Sequence, residues 1–261
     1  MPSLLLPLLF SLVANAEEFA PVVTEIGGAR IDWTSMILRL DGEAEPAAGS
    51  YDDLEVVEQE ARARLGPQVL EAARQVRVDA TTRTVDLLES DSPLGGRLAE
   101  TSSSWHVSEA RYHTSGAVAL TAQLDLGAWL APVLRARALE GELPEAQASN
   151  FSGVVVDARG LDAEGALAPR LLSPDGAELF GAGMVAEKVA RTLTPVQYVS
   201  DPADPRAWQR AGDAPLLLRA ASVRDGVDLL LTAQDAVTLQ TVASRDTALL
   251  ARARVVLVLD P

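Results

Sequence analysis

The side chains able to do chemistry in this sequence are carboxylates, guanidiniums and two histidines. It carries 37 Asp and Glu, 22 Lys and Arg, two His and no Cys. Without cysteine there is no thiol nucleophile, no Cys-ligated zinc, no disulfide staple and no acylated Cys. His106 and His113 stand seven apart, and an odd separation along one strand puts side chains on opposite faces. A turn folding the strand back is what would bring them together. No Asp or Glu accompanies them at ligand-like spacing, so they read as surface or edge histidines rather than a metal pair.

Nucleophile and phosphate motifs are absent from the sequence. There is no Gly-x-Ser-x-Gly elbow and no phosphate-cradling glycine loop. Gly181-Ala182-Gly183 lacks the third glycine of a dinucleotide fingerprint and reads as a turn. The run Val154-Val155-Val156-Asp157-Ala158-Arg159-Gly160 resembles the opening strand of zinc-dependent cell-wall amidases. Gly160 stands where their metal-binding His belongs, and both histidines lie upstream, so the likeness reduces to a buried strand ending in Asp. Asp157 and Asp162 could share a cation such as calcium at that strand end, although their spacing is unlike an EF-hand. Solvated loop carboxylates, or a local Asp157–Arg159 ion pair worth little, explain them as well. No residue is therefore assigned as catalytic, cofactor-binding or metal-binding, no cofactor is expected, and the chain reads as a non-enzyme.

The formal net charge of −15 repels phosphate backbones and argues against nucleic acid as a partner. The short basic clusters, Arg135 with Arg137 and Arg252 with Arg254, read as solvated helix faces.

The elements that would carry these groups follow from apolar spacing. Ile31 and Trp33 share one parity and Met36, Leu38 and Leu40 the other, so a hairpin or bulge is expected at Thr34-Ser35. Residues 51–76 show a helical stripe, Leu54, Val57, Ala61, Leu65, Val69, Ala72 and Val76, interrupted by Gly66-Pro67, which predicts a kink or two consecutive helices. A short strand is expected over 76–85 and a helix over 85–102, broken at Pro93 to Gly96. Strands follow at 105–112 and 117–126, then a short helix over 129–139 and a linker over 140–149. In the second half, Val154–Val156, Leu216–Val223, Val227–Leu231 and Val255–Leu259 read as strands. The last is apolar throughout and suits a central position. Thr232 is placed to cap a helix reaching Val242. The fold class expected is α+β: two small domains, each a mainly antiparallel sheet packed by helices, over 17–145 and 151–261.

Residues Met1 to Ala16 combine an apolar stretch, Leu4 to Val13, with the small residues of Ala14-Asn15-Ala16. This pattern predicts a cleavable signal peptide over 1–16, too short to span a bilayer, although its first residues carry no Lys or Arg. The expected location is the periplasm or the outer-membrane surface, without a direct transmembrane anchor.

Two stretches resemble a known family. Gly28-Ala29-Arg30-Ile31-Asp32-Trp33, followed by the Ala-rich helix ending in Val76-Arg77-Val78-Asp79, is similar to the LPP-twenty-type lipoproteins and to the N-terminal domain of flagellar assembly protein T. Gly153 to Leu161, with Ala168-Pro169-Arg170 and Gly176 downstream, resembles the C-terminal half of exported bacterial proteins allied to that group. The resemblance implies a structural or assembly protein acting through protein contacts, including a flagellar basal-body accessory role. Its partners would be envelope or flagellar proteins or further copies of itself. The chain departs from the lipoproteins in lacking their acylated Cys. The alternative function is an envelope hydrolase or ligand-binding protein with an unfamiliar site.

Overall fold

The computed structural model describes residues 19–47, 53–90, 92–101, 104–145 and 150–261. The predicted signal peptide and the end of the predicted linker lie outside them. The chain is α+β, with a five-stranded and a seven-stranded sheet.

The first sheet is antiparallel throughout. Strands β1 (Val23–Ile26) and β2 (Ala29–Asp32) turn at Gly27-Gly28, both at positive φ, the conformation that a two-residue primed turn requires. The expected parity flip is the tight turn from β2 into β3 (Ile37–Ala44), with Met36 at φ 57°. After α1 (Leu54–Arg74), α2 (Thr84–Leu88) and α3 (Pro93–Thr101) come β4 (His106–Tyr112) and β5 (Val118–Asp125). The sheet order is β1-β2-β3-β5-β4. Strand β5 buries Val118, Leu120, Ala122 and Leu124 on one face, as its alternation predicts.

Helix α1 lays Val57, Ala61, Leu65, Val69 and Ala72 on β3 and β5. It runs through Pro67 as one helix, not two. A proline inside a helix costs about 3 kcal/mol; the apolar stripe is packed on both sides of the break, and its burial, worth roughly 1.5–3 kcal/mol per large side chain, outweighs that. The expected strand over 76–85 shrinks to one bridge, Arg77 to Arg83, because Thr84 already enters α2. The broken helix over 85–102 becomes α2 and α3, and Pro93 opens the latter, where its missing N–H costs nothing. Two short helices, α4 (Leu126–Trp129) and α5 (Ala131–Arg137), close this half.

The second half comprises β6 (Val154–Asp157), β7 (Leu171–Leu172), β8 (Glu178–Phe180), α6 (Glu187–Ala190), β9 (Val196–Val199), α7 (Pro205–Ala211), β10 (Leu216–Arg224), β11 (Asp228–Leu231), α8 (Ala233–Arg245), α9 (Ala248–Ala251) and β12 (Val255–Val258). Its order is β8-β7-β11-β10-β6-β12-β9. Here the expectation of a mainly antiparallel sheet needs correction. Strands β10, β6, β12 and β9 are parallel neighbours, as are β11 and β7; only β10–β11 and β7–β8 are antiparallel. The reason is visible in β6 and β12, whose valines are buried on both faces. Such strands need cover on each side, and helical crossovers supply it.

The halves share one buried core. Trp33, at the end of β2, is 1% exposed and lies against Gly165, where an added Cβ would fall within 3.0 Å of three ring atoms. Its indole N–H donates to Thr24 Oγ1 at 3.0 Å, and its ring is tilted 57° against buried Tyr198, centroids 6.0 Å apart. The Tyr198 hydroxyl donates to Ala166 O at 2.7 Å and accepts from Ala166 N at 3.0 Å. Burial pushes that phenol above its ordinary range. No helix among the described residues is long and apolar enough to cross a membrane.

Candidate functional site

Open parallel sheets bind ligands at the carboxyl ends of their strands, which is where Asp157 stands. The arrangement there is closed by internal pairing. Arg159 donates to Asp157 from Nε at 2.9 Å, from Nη2 at 2.7 Å and from its own backbone N–H at 3.2 Å. The bond from the Arg159 side chain is the main reason that Asp157 lies below the usual carboxylate range, burial pulling the other way. Gly160 N–H donates to Asp260 at 2.8 Å. Asp162 is exposed at φ 52°. The structure thus pairs Asp157 with its neighbour Arg159.

His106 opens β4 and His113 follows its last residue, both exposed. Seven residues of strand separate them by roughly 23 Å, so the turn that follows cannot bring them together. Among the described residues no group of three His, Asp or Glu is arranged to hold a metal.

The most developed polar site lies where the two halves of the chain meet. It is a cavity of about 310 Å3 lined by Asp79, Thr81, Arg137, Arg170, Glu178 and Gly183, among others. Two segments run side by side beneath it: Leu167 N–H donates to Arg77 O at 3.0 Å and Ala168 N–H to Val78 O at 2.8 Å. The residues that follow, Asp79 on one segment and Arg170 on the other, line the cavity. Asp79 heads a tight turn, accepting from Thr81 N at 2.9 Å, Thr81 Oγ1 at 3.1 Å and Thr82 N at 2.8 Å. Its second oxygen takes Arg137 Nη1 at 2.6 Å. Burial works to raise its pKa, but these bonds and the Arg137 charge outweigh it, and Asp79 sits below the usual range. Arg137 is delivered by the end of α5, and the chain beyond is clamped by Leu139 N–H to Val185 O, 2.8 Å, and Glu187 N–H to Leu139 O, 3.0 Å.

Arg170 is fixed from behind. Its backbone N–H donates to Asp228 Oδ1 at 3.1 Å, its Nε to Oδ2 at 2.9 Å, and its Nη2 to the same oxygen. Asp228 is wholly buried, and its bond holds the Arg170 guanidinium above its ordinary pKa. The free edge of Arg170 faces Glu178, Nη1 to Oε2 4.0 Å, too far for a hydrogen bond. Glu178 rests over Gly181, whose missing side chain leaves room for the carboxylate. Gly181 leads into a single 3₁₀ turn over Ala182–Met184, so the Gly-Ala-Gly segment is a turn, as expected.

Sequence reasoning missed this site. It placed Arg137 on a solvated face, whereas the side chain is two-thirds covered and paired. Spacing offers no signal, because Asp79, Arg137 and Arg170 come from three separate elements. The one available hint is Asp79 followed by Thr81-Thr82, a side-chain pattern that caps its own turn.

Residues 153–261, about two-fifths of the chain, match the family model described as Treponema pallidum Tp0624, second domain. The match opens one residue before β6 and takes in the whole seven-stranded sheet. No curated protein matches the chain.

Proposed function

We propose that this chain is an exported cell-envelope component that works through protein contacts, made on the outer face of its parallel sheet. The leader-like sequence at Met1–Ala16 supports export. What supports contact is a ledge of uncovered apolar side chains. Leu217 of β10 is 67% exposed while its neighbours Leu216 and Leu218 are buried. In register beside it lie Val155 of β6 and Val256 of β12, which α7 covers with Ala207 and Ala211.

Trp208 completes the ledge. Ala207 and Ala211 point α7 at the sheet, so residues 208 and 210 occupy its two flanks. Arg210 is tied to Ala253 O at 2.5 Å and to Thr194 O, which precede β12 and β9. That flank faces β9, and Trp208, 43% exposed, therefore stands on the opposite flank, the side of β6. Burial lowers the Arg210 pKa to about 10, which leaves it charged at neutral pH and keeps α7 seated. An exposed Trp and Leu beside a packed sheet fit the aromatic and aliphatic anchors of protein interfaces. The partner in this reading is an envelope protein, a flagellar basal-body component among them, with further copies of the chain as the other occupant.

A photo-crosslinking residue at position 217, compared with one at exposed Thr241 on α8, tests the reading in cells. Adducts at 217 that vanish in Trp208→Glu support it. A chain that stays monomeric by light scattering and yields no adduct at 217 overturns it.

A further inference from the structure

The cavity where the two halves meet has no role in the contact reading, and its charges are arranged in a way that selects a ligand. Two guanidiniums, Arg137 and Arg170, and two carboxylates, Asp79 and Glu178, line it. Their side chains are 32%, 40%, 16% and 41% exposed. Three of the four are held by hydrogen bonds, and the fourth packs on a glycine. Asp79 is locked by its turn, Arg137 by Asp79, Arg170 by wholly buried Asp228, and Glu178 lies over Gly181. Such preorganisation removes the ordering cost that binding otherwise carries.

We infer that this cavity binds a small zwitterion, a molecule carrying one carboxylate and one ammonium a few ångströms apart, as in an amino acid or a short peptide. The sign balance decides the class. A simple anion attracted by the two arginines meets the carboxylates of Asp79 and Glu178; a simple cation meets the arginines. Only a ligand with both charges answers both pairs. A guanidinium has five N–H donors. Asp228 engages Arg170 through Nε and Nη2, and its Nη1 is left 4.0 Å from Glu178. A ligand carboxylate on that edge and a ligand ammonium on Glu178 would close the gap with charge-assisted bonds. The volume of about 310 Å3 is at the small end of ligand pockets, which run roughly 300–1,000 Å3. It suits one or two residues rather than a long chain.

The test is titration of the full chain with dialanine, followed by calorimetry and by amide chemical shifts. N-acetyl-dialanine, which lacks the ammonium, and dialanine amide, which lacks the carboxylate, are the comparison probes. Saturable binding of dialanine is expected, with shifts clustered at Thr81, Gly183 and Glu178. Each capped probe should bind at least about tenfold more weakly, one lost charge-assisted contact. Glu178→Gln should weaken dialanine while leaving N-acetyl-dialanine, which has no ammonium to lose, less affected than dialanine, and Arg137→Gln should weaken dialanine, both with unchanged circular dichroism. Absence of saturable binding up to about 50 mM dialanine overturns the inference. So does binding that is indifferent to capping or to both substitutions.

Discussion

Replacing Gly165 by alanine should destabilise the whole molecule, although it adds one methyl group. The methyl would lie within 3.0 Å of Cγ, Cδ1 and Cδ2 of Trp33, where carbon atoms ordinarily rest about 3.5–4.0 Å apart. The indole would have to retreat by roughly one ångström. It has nowhere to go, being 1% exposed, tied to Thr24 Oγ1 and backed by Tyr198. Overpacking of this kind costs about 1–3 kcal/mol. Loss of backbone freedom in the unfolded chain returns about 0.4–1 kcal/mol, so the net expected is a loss of about 1–2 kcal/mol. Urea denaturation followed by tryptophan fluorescence and far-ultraviolet circular dichroism measures it, and the midpoint should fall with unchanged slope. Both probes should move together, because Trp33 belongs to the first sheet's half and Gly165 to the second. Trp33→Leu in the Gly165→Ala background should cost less than in the parent, the signature of a shared contact. An unchanged midpoint, or separate transitions for the two sheets, would refute the continuous core on which the reasoning stands.

Three further outcomes follow from the charged pairs. Asp228→Asn should lower stability by about 2–3 kcal/mol, since Arg170 loses a buried charged partner but stays partly hydrated; thermal denaturation checks it. On acidification, Asp79 should release its stabilisation late. Its pKa is lower folded than unfolded, so its contribution is full above the unfolded value, about 3.9, and drains away as pH falls through the lower folded one. Asp79→Asn should flatten the stability profile in that acid window, and a profile unchanged by the substitution would contradict the assignment. Arg159→Gln should change stability by no more than about 1 kcal/mol, the range of exposed pairs, and a larger loss in a melting curve would show that the strand end does more than neutralise itself.

Local pattern was enough for most elements. The β5 alternation, the α1 stripe, the Thr232 cap and the apolar β12 are each a property of a few neighbouring residues, and short-range sterics with burial fix them. What pattern could not supply is pairing between distant segments. The valines of β6 announce burial, but not that their neighbours run parallel, because direction is set by which crossover helices cover the sheet. Pro67 carries a local signal to break a helix, and packing on β3 and β5 overrules it. The candidate site shows the divide most sharply. Asp79-x-Thr81-Thr82 encodes its own turn, whereas the meeting of Asp79 with Arg137 and of Arg170 with Asp228 spans 58 residues each time. Periodicity in a sequence reports what one element does against its own surroundings; the opposition of charges across a cavity exists only once two sheets share a core.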